Sequence, residues 1–458
     1  MCRTATTSNP DSKRASPERD ANDGSPKKPK SADAENAPMD VAPTMSLSAS
    51  SNRDNRKLWA STISFCNRWT SDNDAIGVRN VMAVFYMLAK AVAAGYTERP
   101  AFMDFFPKNE AWFSYAGRFL ALYCRDVTHG GHPIRLTDTT TKVAEEIGGV
   151  KIETLKSADG FDAMADLINA DCKEATKDKI PSIVSGSDLA DPQLQLVALA
   201  AEFIKGKFAS PFKDDTQDDF VFHGTEGREK GTCHMMCQKN VTRNAFTFNC
   251  DTFEAAVLST TTSDGQPSTI KLVAVLPNAD EVTEKTGQTS KHAMGKAATE
   301  FAFSIDSLAS LVATPHDQAL PDTQKKVEMP RIERKMAPFN MTDMCRDELP
   351  NHLMQGLDHI TEVNETGEWK MDPMFVSKVV HATYLKVDET GFEAAAATAV
   401  IAFRSLGAFE EPKPILRFDR GFLFYILDMN EDNPHVLYHA RIESDVGLKD
   451  APEAPKED

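Results

Sequence analysis

An α+β fold built around a large, mainly antiparallel central sheet is what the order of hydrophobic patterns along this chain predicts. Helical spacing dominates the residues before Pro211, and short β-prone runs dominate those after it. No internal repeat divides the chain, so one folded domain is expected over residues 56–443. An N-terminal tail, 1–55, and an acidic C-terminal tail, 444–458, flank it.

The elements follow in order. Residues 1–55 are rich in Ser, Pro, Ala, Asp and Lys and nearly lack large apolar side chains. Such a segment cannot bury enough surface to offset its ordering entropy, which predicts disorder. Within it Lys13-Arg14 and Lys27-Lys28-Pro29-Lys30 are spaced like a bipartite nuclear import signal, with a solvated charge run as the plain alternative. From Lys57 the period turns helical through Trp59, Ile63, Cys66 and Trp69, and an apolar helix follows over 78–95, closed by Gly95. Residues 111–125 are apolar enough for either helix or strand. Phe161, Met164, Leu167 and Ile168 mark a helix within 161–180. Strand-like runs then fall at 220–222, 244–248, 268–277, 378–387 and 422–427, and the polar stretch 278–300 reads as a loop or frayed helix.

Charge and motif content exclude several function classes. The 51 basic and 68 acidic side chains leave a net charge of −17, which argues against broad binding to a phosphate backbone. The longest apolar run, Val81–Tyr96, is broken by Lys90 and falls short of the roughly 20 residues a membrane span needs. The first residues carry no apolar stretch of the signal-peptide type. Eight scattered cysteines without such a signal predict reduced thiols in an intracellular protein of the cytoplasm or nucleus. His129-Gly130-Gly131-His132 offers two metal ligands without a third, so a loop is the simpler reading and neither metal nor cofactor is implied. Cys233 and Cys237 have the wrong spacing for a CxxC pair, and strand alternation puts both thiols on one face. Walker, GxGxxG, HExxH and GxSxG patterns are all missing from the sequence, and nothing in it supports an enzyme.

One stretch contradicts itself locally. In DETGFEAAAATAVIAFRSLGAFEEPKP, Asp388–Pro414, four consecutive alanines favour helix, yet the flanks on both sides look like strands. Small uncharged residues that suit either an exposed loop or a strand fit a segment with two conformations. A simple alanine-rich connection is the alternative.

With its flanks, this segment resembles the serpin family. VVHATYLKVDETGFEAAAATAV (379–400) is similar to the family's strand leading into the hinge of the reactive-centre loop, and RFDRGFLFYILD (417–428) with VLYHARI (436–442) to its last strands. Upstream, LVALAAEFIKGKFASPF (196–212) resembles the block NAxxFKGxWxxPF. Ile168-Asn169, Thr176 and Lys179-Ile180 resemble its IN…T…KI helix end. HMMCQ (234–238), KLVAVLP (271–277) and VEMP (327–330) follow in family order, so the resemblance covers about 57–443.

What the resemblance implies is a suicide inhibitor of serine endopeptidases, or of papain-like cysteine endopeptidases. Its exposed loop is cleaved and then inserts as a new strand in the central sheet, dragging the covalently bound protease with it. The hinge would comprise Glu389, Gly391, Phe392, Glu393, Ala394, Ala395, Ala396, Ala397 and Thr398. Gly391 would supply a permissive backbone, Ala394, Ala396 and Thr398 would share one face, and no proline interrupts 389–411. Glu389 matches the acidic hinge position and Arg331 the basic position that pairs with it at the top of the sheet, an ordinary exposed ion pair being the alternative. His381 matches a buried histidine beneath the sheet opening. Counting the family interval from Glu389 puts the scissile bond at Ser405–Leu406. A hinge one residue shorter gives Arg404–Ser405, favoured because Arg404 is the strong determinant for a trypsin-like partner. The loop is about five residues longer than is common, which leaves Phe403 and Phe409 open as well.

Departures from the family pattern bear on inhibition. Ala200 stands at the buried asparagine that would partner His381, Val78 begins the block that matches the family's serine-bearing helix start, and Phe208 replaces a tryptophan. An unpaired His381 would be costly. Phe392 stands where inhibitors carry Thr or Ser, and a bulky ring at the first buried step would slow insertion. The alternative function is therefore a non-inhibitory binding or chaperone-like member whose loop is cleaved as a plain substrate.

Overall fold

The computed structural model describes residues 75–98, 100–106, 118–192, 194–202, 206–238, 244–262, 264–278, 286–313, 324–335, 339–340, 355–375, 380–392, 414–429, 435–445 and 448, all within the unit Ser48–Asp458. The N-terminal tail with its basic clusters, the helix expected from Lys57, hinge residues Glu393–Thr398 and the candidate bonds around Arg404, Ser405 and Leu406 lie outside the described residues.

In chain order the main elements are β1 (Ala75–Gly77), α1 (Val78–Ala93), β2 (Arg118–Arg125), α2 (Asp138–Ile147), β3 (Val150–Leu155), α3 (Phe161–Ala175), β4 (Leu196–Glu202) and β5 (Gly206–Phe208). Next come β6 (Lys213–Phe222), β7 (Gly231–Gln238), β8 (Ala245–Asn249), β9 (Phe253–Thr261), β10 (Pro267–Pro277) and α4 (Lys291–Ala313). The remainder are β11 (Lys326–Pro330), β12 (Ile332–Lys335), β13 (Gln355–Asn364), β14 (Trp369–Phe375), β15 (Tyr384–Asp388), β16 (Gly391–Phe392), β17 (Ile415–Arg417), β18 (Phe422–Asp428) and β19 (His435–Ile442).

Every residue of α1 from Val81 to Val92 except Lys90 is buried, which is why the run is apolar on all sides. The helix ends at Ala93, short of the glycine expected to close it. Gly95 is required for a different reason, because a Cβ there would overlap the imidazole of His359. The stretch read as loop or frayed helix contains the start of α4. Its buried Met294, Ala297, Ala298, Phe301, Ile305 and Leu308 follow a helical period, and the Phe301 ring stacks on Tyr425 of β18 at 4.4 Å. The sequence left helix and loop open there because alanines supply most of the inner face ahead of Phe301.

A ten-stranded sheet runs in the order β1-β19-β18-β10-β9-β5-β16-β15-β12, with β8 also on β9, and each of its recorded pairings is antiparallel. A separate three-stranded sheet, β3-β2-β4, lies beneath α3 and contains one parallel pair, β2 with β3. The four-stranded sheet β17-β11-β7-β6, the sheet formed by β13, β14 and residues 134–136, and a two-stranded ladder pairing Phe339 with His381 and Asn340 with Val380 are the others among the described residues. One core packs α1 and α4 against β9, β10 and β18, and a second gathers the aromatic residues of β5, β16 and β18. The packed chain continues past β19, for Leu448 is 1% exposed in that second core.

Cys233 and Cys237 do not share one environment. The buried positions of β7 run 233, 235, then 236 and 238, so the alternation breaks and Cys237 lies half-buried beside Glu328. Burial pushes the thiols of Cys124, Cys172 and Cys233 up to about 12. The five described cysteines are free. His129–His132 form a turn between β2 and residues 134–136, closed by Gly131 N–H donating to Thr128 O at 2.9 Å.

Candidate functional site

Strand β15 ends in a tight turn through Glu389-Thr390. Val387 pairs with Phe392 and Asp388 with Gly391, so the chain reverses within two residues. Asp388 Oδ1 holds the turn by accepting from the Thr390 N–H at 2.9 Å and from its hydroxyl at 2.7 Å. The returning strand β16 pairs on its other side with β5, Gly391 opposite Lys207 and Phe392 opposite Gly206. Phe208 N–H donates to Thr390 O at 2.8 Å, and Phe212 N–H to Glu389 O at 2.9 Å. Gly391 and Phe392 thus form a sheet rung, paired on both sides.

Gly391 owes its identity to contact, not to backbone freedom. Its φ lies outside the left-handed region, but a Cβ would overlap the carbonyl oxygen of Gly206. Phe392 does not wait for insertion to be buried. It is 1% exposed, in a cluster with Phe208, Phe212, Leu385, Val387 and Phe418.

Glu389 and Arg331 are brought together at the top of the sheet. Arg331 Nε donates to Glu389 Oε1 at 2.7 Å, and Nη2 reaches the same oxygen. With side chains only 17% and 10% exposed, this is a largely buried pair. Loss of one partner would strand a charge in a poorly solvated place. Arg331 is held from behind, where its N–H donates to His234 O at 2.9 Å.

His381 has a partner after all. Its Nε2 accepts from the backbone N–H of Gly77 at 3.2 Å, directly ahead of α1. Burial pushes its pKa down to about 4, which keeps the ring neutral and Nε2 free to accept. A backbone donor therefore serves where the resembling family uses side chains. Ala200 lies on β4 opposite Leu120, and Val78 opens α1.

Beside this turn the sheet is open. Among the described residues no pairing joins β4 to β15, although Leu199 and Ala201 of β4 share a core with Ala382, just ahead of β15. The segment after α3 closes over this core, with Ile180, Ile183 and Val184 buried in it. Asn169 clamps that segment, its Oδ1 accepting from Ile183 N–H at 2.8 Å and Val184 N–H at 3.2 Å while Nδ2 donates to Val184 O at 2.8 Å. Lys179 lies over the ring of Tyr384 at 4.8 Å, and the Tyr384 hydroxyl donates to Glu333 at 3.1 Å. Asp388, Thr390, Gly206 and Tyr384 belong to the site but were not singled out from sequence. Only the Asp-x-Thr spacing of the turn carried a local signal.

Among the described residues, no cluster of three or more His, Cys, Asp or Glu could hold a metal ion, and no helix is long and apolar enough to cross a membrane.

Known proteins share this fold. The family model described as Serpin (serine protease inhibitor) matches residues 134–438. Leukocyte elastase inhibitor of Sus scrofa is 27% identical over 281 residues, covering 60% of this chain and 65% of its own length. The chain thus spans a little under two thirds of that relative. The native state of tengpin, a thermophilic serpin, superposes with a TM-score of 0.58 at 15% identity, over 86% of this chain and 94% of that one. Thyroxine-binding globulin in complex with thyroxine gives 0.56 at 16% identity, over 86% and 98%. At these identities the structural likeness establishes the fold alone.

Proposed function

The chain belongs to the serpin family, and from that premise we propose that it inhibits a serine endopeptidase, or a papain-like cysteine endopeptidase, by offering residues 389–414 as bait. The protease nucleophile adds to the carbonyl of Arg404, the bond to the Ser405 nitrogen breaks, and the protonated amine leaves. An ester or thioester then joins Arg404 to the enzyme. Ser405–Leu406 is the alternative bond. Glu393, Ala394, Ala395, Ala396, Ala397 and Thr398 extend the strand that Gly391 and Phe392 begin, entering between β4 and β15. The acyl-enzyme is drawn away before water reaches it. The chain is consumed as bait and is not a catalyst. Arg404 suits a trypsin-like specificity pocket through charge pairing.

The observation that supports this reading is the pairing of β16 on both sides, which leaves its C-terminal end as the point from which further strand can grow. Arg331 and Glu389 hold the gate above it, and His381 supports the sheet beneath. The protein is placed in the cytoplasm or nucleus, with the tail 1–55 offering Lys13, Arg14, Lys27, Lys28 and Lys30 to an import receptor. A second reading, a binding or chaperone-like role without insertion, is favoured by Val78 and Ala200 at positions where the family pattern differs.

Mixing the protein with trypsin-like, chymotrypsin-like and papain-like proteases separates the two. Inhibition predicts a complex that survives denaturing gels, with mass spectrometry locating the cut at Arg404–Ser405. Clean cleavage near that bond, with no complex and no gain in heat stability, would leave the binding reading.

A further inference from the structure

We propose that Phe392 is a positioning residue that seats the hinge in the sheet before any bond is cut, with Gly206 as its socket. The inference deepens the inhibitory reading and rests on it for its meaning, though its geometry stands apart from any protease.

The argument begins with the ring. Phe392 directly precedes Glu393 and the alanine run, yet it is among the largest fully buried side chains of the molecule. The space it fills exists because position 206 has no side chain, since a Cβ on Gly206 would overlap the Phe392 ring. Gly391 is fitted in the same way against the Gly206 carbonyl oxygen. Two glycines and one ring therefore interlock, and a larger residue at either glycine would expel the strand.

Two departures from the family pattern fall in this cluster. Phe208 stands in place of a tryptophan and Phe392 in place of Thr or Ser, and both rings are buried there. A smaller ring in one element is matched by a larger side chain in the other, as conserved core volume requires. The backbone adds its own restraint, because Phe208 and Phe212 donate to the turn carbonyls of Thr390 and Glu389.

Seating has consequences on both sides of cleavage. Before it, the bait loop is tethered at its N-terminal end, and drawing it out requires the ring to leave a dry socket. After it, strand growth starts from a formed rung, so the entropy of bringing the first residues to the sheet is already spent. The bulky residue therefore speeds insertion instead of slowing it. The Phe392 ring stays in place while Glu393 and the alanines add beyond it.

Hydrogen exchange reads this directly through the amides of Phe208 and Phe212, which end on the hinge turn. In the native protein both are expected to be protected. Phe392→Ser and Gly206→Ala should each make them exchange about tenfold faster, with amides of β10 at 272–276 unchanged as a fold control. Phe392→Leu, which keeps an apolar side chain, should retain most of the protection. Native amides that exchange like unstructured chain, or remain protected in Phe392→Ser, overturn the proposal. If Phe392→Ser unfolds, losing protection at 272–276, the native exchange rates and Gly206→Ala decide. The same proteins mixed with a trypsin-like protease keep the two readings apart. Absence of a stable complex alongside the expected exchange pattern removes inhibition and leaves seating intact. A stable complex with unprotected amides removes seating alone.

Discussion

His381 and His439 show how surroundings set a chemical property. Burial pushes His381 down to about 4, and burial together with the nearby Arg441 charge pushes His439 down to about 3. Both folded values lie below the ordinary value near 6.5. The unfolded chain therefore binds protons that the folded chain refuses as pH falls below about 6.5. Stability from each group is complete above that pH and is lost progressively toward the folded value, reaching about 3 kcal/mol for His381 near pH 4. His381→Gln should lower the slope of unfolding free energy against pH, between about 6.5 and 4, by about one proton. Denaturant melts across that range measure it, and an unchanged slope would show that the ring is solvated. The hinge makes the complementary point. Gly391 and Phe392 are set by each other's surroundings and by Gly206, so neither can be interpreted from its own propensities.

Elements in this fold are fixed as much by clamps as by propensity. Helix α3 is amphipathic and was legible from Met164 and Ile168, both buried. Its value to the site lies in Asn169 and Thr176 instead. Asn169 binds both neighbouring peptide units at 183–184, and the Thr176 hydroxyl accepts from Ile180 N–H at 3.1 Å. Together they shape the strap that lies over the core between β4 and β15. Asn169→Ala removes three hydrogen bonds and leaves partly buried backbone groups unsatisfied, at a cost of about 2 kcal/mol. Faster hydrogen exchange at Ile183 and Val184, with α1 unaffected, is the expected signature, and uniform destabilisation would point to a general packing role. Helix α4 teaches the opposite lesson. Its period was present in the sequence, but alanines carry so little hydrophobic contrast that the polar residues around them dominated the reading.

At the scale of the whole molecule, distant segments converge on the turn after β15. The chain past β19 is built into the fold: Glu443 O accepts from Thr225 N–H at 2.8 Å, and Leu448 O from His234 N–H at 3.0 Å. His234 in turn carries Arg331, and Arg331 carries Glu389. A residue six positions beyond the last strand thus lies three contacts from Glu389. Leu448→Ala should cost about 3 kcal/mol through the lost apolar contact and the cavity left in the second core. Equilibrium unfolding measures this, and a cost below about 0.5 kcal/mol would mean that the Leu448 side chain adds little to the second core.

The sequence by itself determined the family and the α+β class. Those properties are written in local pattern and spacing: short continuous apolar runs in β10 and β18, a helical period in α3, and an alanine run flanked by strand-like segments. It did not determine the partner of His381, the burial of the Arg331–Glu389 pair, the contact reason for Gly391, or the seating of Phe392. Each depends on residues scores or hundreds of positions away, such as Gly77 beneath His381 and Gly206 against Phe392. A side chain's surroundings are set by which segments the fold brings together, and single-residue propensity carries no record of that.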